Sequence, residues 1–360
     1  MNRLTAIGLA SLVAYGALIA TKYTASVVAA VREEKAPHAE NVADALPAEP
    51  VISRDKPVPL PPIPQSPPPM PRLDPPHVSA VALEFRQARD LKAFADSLMA
   101  RKSELTADER YHLAKALEEC QFATSLTEDI ATYAAKQRRQ FLAGLPVNDP
   151  NNAKRIAAYE AVDNTQRCAR FQGTKISQKD VDDLIQAAAQ EGDVRAQARI
   201  LVAELNKNAS NQRSDAQQTQ PRVNPDDLSR LIGLLQTRDP EAMIIVGQYL
   251  AQSSVASQLR IGPNGEVPEP SAFLGAFSLV ACDLGPDCTS LSREPQLACA
   301  YGGYCNSQSF EELYQNFLAS PWAYAQAVRY RSIIHTAINT QNWSLIGLQP
   351  PSSDRHVTAQ

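Results

Sequence analysis

The first 119 of the 360 residues contain no cysteine, and no C-x-x-C occurs anywhere in the chain. The first absence excludes a lipid-modified cysteine anchor near the amino terminus. The second argues against a dithiol redox centre. Charged residues nearly balance at −4, and without a basic excess nucleic acid is not an expected partner. Aromatic residues make up only 6% and no segment alternates as a half-buried strand does, so helices are favoured over sheets. Catalytic signatures are missing too. No serine stands in a G-x-S-x-G context. The glycine pairs of YGGY (301–304) and GPNG (262–265) read as turns, because no lysine and serine follow to make a phosphate loop.

Histidine is scarce, at five residues: His38, His77, His112, His335 and His356. His112 sits among charged neighbours in a helix and His335 beside Ile333 and Ile334, so surface or core roles are expected rather than catalysis. Acid pairs occur at Glu118 and Glu119, Asp182 and Asp183, and Glu311 and Glu312. Adjacent carboxylates on a helix diverge, and each pair falls at a helix start or on a solvated face. DLGPD (283–287) brings two carboxylates together, too few for calcium. No catalytic, cofactor or metal site is therefore assigned.

Cysteine is present where it matters. Four of the six lie within 24 residues, as C-x5-C-x10-C-x5-C from Cys282 to Cys305. Zinc prefers pairs two to four residues apart, and the nearest histidine, His335, lies 30 residues on, so disulfides are the expected state and buried free thiols the alternative. An even count suits full pairing. Cys120 and Cys168, on separate expected helices, are available to bridge them. Within the cluster three pairings remain open. The favoured one joins Cys282 to Cys299 and Cys288 to Cys305, because the first two flank the intervening turn.

The amino terminus supports an oxidising destination. Leu4–Ala20 is a 17-residue run without charge, preceded by Arg3. It reads as a membrane anchor, or as a cleaved signal ending at the small residues Val28, Ala29 and Ala30, within segment 1–31. Arg3 keeps the amino terminus on the cytoplasmic side in either case. The expected location is a single-pass inner-membrane protein with most of the chain periplasmic, the alternative being release into the periplasm. Segment 32–77 follows as a disordered linker; thirteen of the 27 prolines lie between Pro47 and Pro76. Proline lacks the donor that helix and sheet need, so polyproline II is expected, reaching about 90 Å if extended. The linker reads as a spacer, or as a docking peptide of PxxP type in PLPPIP and SPPPMP.

Residues 78–348 read as a helical domain, with a disordered tail at 349–360. Thr106 with Glu109 and Ser125 with Glu128 make capping-box patterns, as does Ser177 with Asp180. Asp149–Pro150, Asn224–Pro225, Asp239–Pro240 and Ser320–Pro321 pair a cap with a first-position proline. Asn206–Arg222 is polar throughout and reads as part of a mobile loop spanning 206–223. Trp343 and Leu345 are expected to pack back on the body.

Two segments repeat weakly. Asp182-Asp183-Leu184 matches Asp226-Asp227-Leu228, and Asp193 with Ala196 matches Asp239 with Ala242. The stretch AAAQEGDVRAQARIL, with Ala188, Gly192, Ala196 and Ile200, resembles the short SEL-type repeat of the tetratricopeptide-like superfamily over about residues 180–205, and less closely over 225–251. The second half of that repeat, with its G-V-x-x-D turn, is absent. The resemblance implies stacked helix pairs joined by disulfides, hence an irregular, solenoid-like all-α domain with a disulfide-stapled C-terminal part. The expected function is a scaffold holding a protein or peptide partner in the cell envelope, tethered to the membrane. The alternatives are a hydrolase of cell-wall material and a structural protein of an envelope assembly.

Overall fold

Side-chain caps decide where most helices of this chain begin. The computed structural model describes residues 79–101, 104–214, 224–285, 288–289 and 292–348. Segments 1–31 and 32–77, the remainder of the polar stretch at 215–223 and the tail 349–360 lie outside the described residues. Ser79 and Asp90 accept amide hydrogens at the starts of α1 (Ala80–Gln87) and α2 (Leu91–Met99). Reciprocal capping boxes open α3 (Ala107–Thr124) through Thr106 and Glu109, and α6 (Gln178–Gln190) through Ser177 and Asp180. Between them lie α4 (Ile130–Ala143), α5 (Asn152–Val162) and a 3-10 turn, Ala169–Phe171. After α7 (Val194–Ser214), Asn224 and Asp239 cap α8 (Pro225–Gln236) and α9 (Pro240–Leu250), each with proline at its first position. The rest comprises α10 (Ser253–Ala256), α11 (Pro270–Leu284), α12 (Arg293–Gly302), α13 (Phe310–Leu313) with a π-helical continuation to Leu318, α14 (Pro321–Thr340) and a 3-10 turn, Trp343–Ile346. Among the described residues there are isolated β-bridges but no strand.

The sequence reading needs several corrections. The polar loop expected from Asn206 is helical as far as Ser214. Its residues are hydrophilic, but neither glycine nor proline interrupts them, and polarity alone does not stop a helix. The cap expected at Ser125 falls four residues later, at Asp129, whose carboxylate accepts from Thr132 N at 3.1 Å, and the helix begins at Ile130. Asp149 accepts from the Asn151 amide at 2.8 Å, as a cap would, but the helix itself starts only at Asn152, and the other Asp149 oxygen binds Arg155.

The helices pack in succession: α3 on α6, α6 on α7, α7 on α9, α9 on α11 and α11 on α14. One apolar cluster gathers Leu91, Leu98, Leu113, Phe171 and Val181 from α1–α3, α6 and the first 3-10 turn. A second gathers Leu201, Leu235, Met243, Phe273, Phe277 and Ile334 from α7–α9, α11 and α14. Trp343 is buried in this second core and Leu345 packs partly buried against it. Ala188 and Ala196 are fully buried either side of Gly192, which turns at φ +98°. Two helical glycines permit close approach. A Cβ on Gly247 of α9 would lie 2.4 Å from Phe277 Cγ, and one on Gly275 of α11 would lie 2.1 Å from Tyr314 Oη.

A charged seam joins α3, α7 and α9. Tyr111 Oη donates to Glu241 at 2.6 Å and Lys115 Nζ to the same oxygen at 2.9 Å. Arg195 binds Asp108 at 2.6 Å and Asp193 at 2.5 Å, its guanidinium 4.3 Å from the Tyr111 ring centre. Arg199 binds Glu118 at 2.7 Å. Every charge in the seam has an opposite partner, as burial requires.

All six cysteines are paired. Cys120 and Cys168 bridge α3 to the segment before the first 3-10 turn, with Cα atoms 5.1 Å apart. The expected cluster pairing is overturned: Cys282 joins Cys288, and Cys299 joins Cys305. The physical reason lies in the helix ends. Each first cysteine sits in the last turns of a helix, α11 or α12. Gly285 and then Gly303, the latter at φ +77°, end those helices and let the chain fold back. Six residues thus return to within 5.6 and 4.3 Å of their starting Cα. Three disulfides suit an oxidising compartment outside the cytoplasm. Among the described residues no helix is long and apolar enough to cross a membrane.

Candidate functional site: an aromatic cleft on α4, α5 and α12

Arg155 organises this part of the molecule. It is 8% exposed, and it leaves α5 toward the carboxyl end of α12. Its Nε donates to Ala300 O at 3.0 Å and its Nη2 to Tyr301 O at 3.2 Å. Those carbonyls belong to the last turn of α12, where the helix leaves acceptors unpaired and carries partial negative charge. Asp149 balances the guanidinium from Nη1, at 2.9 Å. The Asp149 carboxyl is held below its ordinary range, first by the Asn151 amide and then by Arg155. Behind this turn lie Cys299 and its bridge to Cys305, packed with Ala158 and Tyr159 of α5.

Three rings meet where the elements converge. Phe141 of α4 stacks on Tyr159 of α5, centroids 4.2 Å apart and planes 14° apart. Tyr301 stands edge-on to both, at 5.7 Å from Phe141 and 6.3 Å from Tyr159. It is 60% exposed. Gln137 and Gln140 of α4, with Gly144, Leu145 and Arg155, complete a cleft of about 360 Å³. Burial, followed by the charge of Asp163, pushes the Tyr159 phenol up to about 12, so it keeps its proton at physiological pH. A second ring pair, Tyr304 stacked on Phe317 at 4.8 Å, follows on the same chain segment. The cleft thus offers aromatic faces, neutral hydrogen-bonding groups and one charge that is already satisfied.

The residues singled out in the sequence fall elsewhere. His112 lies buried against Phe85 and bonds Asp108, its Nδ1 3.0 Å from Oδ1. Burial of Asp108 raises its pKa, but hydrogen bonds from His112 and Arg195 outweigh it and hold the carboxyl well below its ordinary range. His335 Nε2 lies 2.6 Å from Asp283 Oδ2. Asp283 is also gripped by Arg331, which reaches Glu311 at 2.9 Å on its other side. Two carboxylates therefore do converge here, but Arg331 stands between them. Desolvation raises Asp283, and the bonds from His335 and Arg331 more than offset it, keeping it ionised. This cross-link ties α11 to α13 and α14.

Of the remaining acids, Glu118 and Glu119 bind Arg199 and Arg167. Gln178 and Lys179 engage Asp182 and Asp183, and Glu312 accepts from the Gln308 amide at 2.6 Å. Asp287 lies outside the described residues. Among the described residues no three ligating side chains converge as a metal site would need. Sequence reasoning missed Phe141, Arg155 and Tyr159, and read Tyr301 only as part of the YGGY turn. Comparison with protein-family models, with curated proteins and with solved structures finds no match for this chain.

Proposed function

We propose that the chain is a binding module of an extracytoplasmic compartment, holding a protein or peptide partner on the α4–α5–α12 cleft. The observation that carries this reading is the exposed Tyr301 ring over the stacked Phe141 and Tyr159. Exposed tyrosine on a rigid base gives large contact area at small entropic cost, which is what binding surfaces use. The succession of packed helices supports the solenoid-like arrangement of the SEL-type resemblance, and the apolar amino-terminal run supports a membrane tether. A cell-wall hydrolase is the weaker reading, because the acids that converge are engaged by arginine: Asp283 and Glu311 by Arg331, and Asp108 and Asp193 by Arg195.

Site-specific photo-crosslinking tests the proposal. A photoreactive residue replaces Gln140 at the cleft or, as a control, exposed Lys179 on α6. The full chain is then irradiated in its native envelope. A discrete adduct from position 140 and none from 179 is expected. No adduct, or the same adducts from both positions, overturns the proposal.

A further inference from the structure

The geometry points to an uncharged, proline-rich, extended segment of a partner protein as the occupant of this cleft. The inference rests on the binding-module reading and adds the chemistry of the ligand. Charge is the first discriminator. The cleft lining has one ionised side chain, Arg155; three of its five N–H donors go to Ala300 O, Tyr301 O and Asp149, and the Asp149 carboxylate balances its charge. A phosphorylated or strongly acidic ligand would find no free cation in the lining, and a basic one no carboxylate.

Hydrogen-bond sense is the second. Proline has no N–H, and a polyproline II backbone makes no internal hydrogen bonds, so such a ligand presents carbonyl acceptors almost exclusively. Its receptor must donate. Gln137 and Gln140 lie three residues apart on α4, hence on one face, and carry amide donors. Tyr159 and Tyr301 add phenol hydroxyls, the former firmly protonated. A glycan would instead offer donors and acceptors in equal measure, and for its donors the lining side chains hold only the two glutamine Oε1 atoms and the phenol oxygens, with no carboxylate; the sugar probe below separates the two ligands.

Shape is the third. The Phe141–Tyr159 stack and the edge-on Tyr301 make a corner of two nearly perpendicular aromatic surfaces. Flat pyrrolidine rings pack on such surfaces, which is how proline-rich segments are recognised in general. The volume of about 360 Å³ is small for a ligand pocket and suits about one three-residue turn of the ligand. A preformed polyproline II helix also loses little entropy on binding, so a small cleft suffices.

The experiment is isothermal titration of the full chain, with the prolines of its own PLPPIP and SPPPMP stretches replaced by alanine so that they cannot compete, against three probes. They are acetylated and amidated decaproline, a ten-residue alanine–glutamine peptide, and a tetramer of N-acetylglucosamine. Saturable binding of decaproline alone is expected. Tyr301→Ala should weaken it at least tenfold with an unchanged melting temperature, because that side chain is mostly exposed. Gln137→Glu with Gln140→Glu, which replaces donors by acceptors, should weaken it similarly. Failure of decaproline to bind, indifference of its affinity to these variants, or sugar binding lost on Tyr301→Ala overturns the inference. If decaproline fails while crosslinking from position 140 still captures a partner, the ligand class alone is wrong. If both fail, the binding-module reading falls with it.

Discussion

Removing the long disulfide should destabilise the chain about twice as much as removing either short one. Cys120 and Cys168 close 48 residues, whereas Cys282–Cys288 and Cys299–Cys305 close six each. In the chain-entropy account these loops correspond to about 4 and about 2 kcal/mol at 25 °C. Burial points the same way. Cys120 and Cys168 are fully buried in the first apolar cluster, while Cys288 and Cys305 are partly exposed. The assay is urea unfolding of the oxidised full chain, followed by circular dichroism, for three double cysteine-to-alanine variants. With a slope of about 2 kcal/mol/M, the midpoint should fall by about 2 M for Cys120→Ala with Cys168→Ala, and by about 1 M for each other pair. The reasoning is refuted if a six-residue clip proves as costly as the 48-residue one. That result would mean the clips act by holding native helix ends rather than by restricting the unfolded chain.

The Glu241 carboxyl is pulled down to about 2: burial alone would raise it, but the charge of Lys115 and the bonds from Tyr111 and Lys115 prevail. Because its folded pKa is below the unfolded one, its contribution is present above about pH 4.5 and lost as pH falls toward 2. With 35% of its side chain exposed, solvent screening leaves about 1 kcal/mol of this effect, and Glu241→Gln should flatten that part of the stability–pH curve measured by urea unfolding. Gly247→Ala should destabilise by about 1–3 kcal/mol, because the clash with Phe277 exceeds the ~1 kcal/mol gain in helix propensity. Thermal melting should show the loss largely relieved when Phe277→Leu is added.

Helix starts were legible in the sequence because cap chemistry is local. Thr106 with Glu109, Ser177 with Asp180, and the proline-led starts at Pro225, Pro240 and Pro321 all act within four residues. Where two caps competed, locality misled: Ser125 has the better motif, yet Asp129 takes the position. The continuation of α7 to Ser214 was hidden because polar residues were read as a loop, although hydrophilicity describes exposure and not backbone conformation. The cysteine pairing was legible in principle, since each C-x5-C contains a helix stop, Gly285 with Pro286 or Gly302 with Gly303. A helix that ends between two cysteines can fold back on itself, so the symmetric spacing marks two local clips rather than one crossed pair. The cleft was not legible. Its residues run from Gln137 to Tyr301, and the packing of α12 on α5 that unites them leaves no periodic trace in either helix.

That packing also explains why the cysteines matter to the cleft rather than only to stability. Tyr301 is carried by the last turn of α12, the part of a helix most prone to fray. Here the turn is held twice. Arg155 takes its free carbonyls from one side, and Cys299–Cys305 ties its exit strand from the other. A bulky, mostly exposed ring on a frayed end would sample many positions and lose entropy on binding. The same ring on a turn fixed by an ion-paired arginine and a covalent bridge is positioned before any ligand arrives. The fold thus invests a buried, balanced charge and a short disulfide in a surface turn whose own apolar burial is slight. Core packing of α12 alone does not account for that investment; presenting Tyr301 at a fixed angle to Phe141 and Tyr159 does.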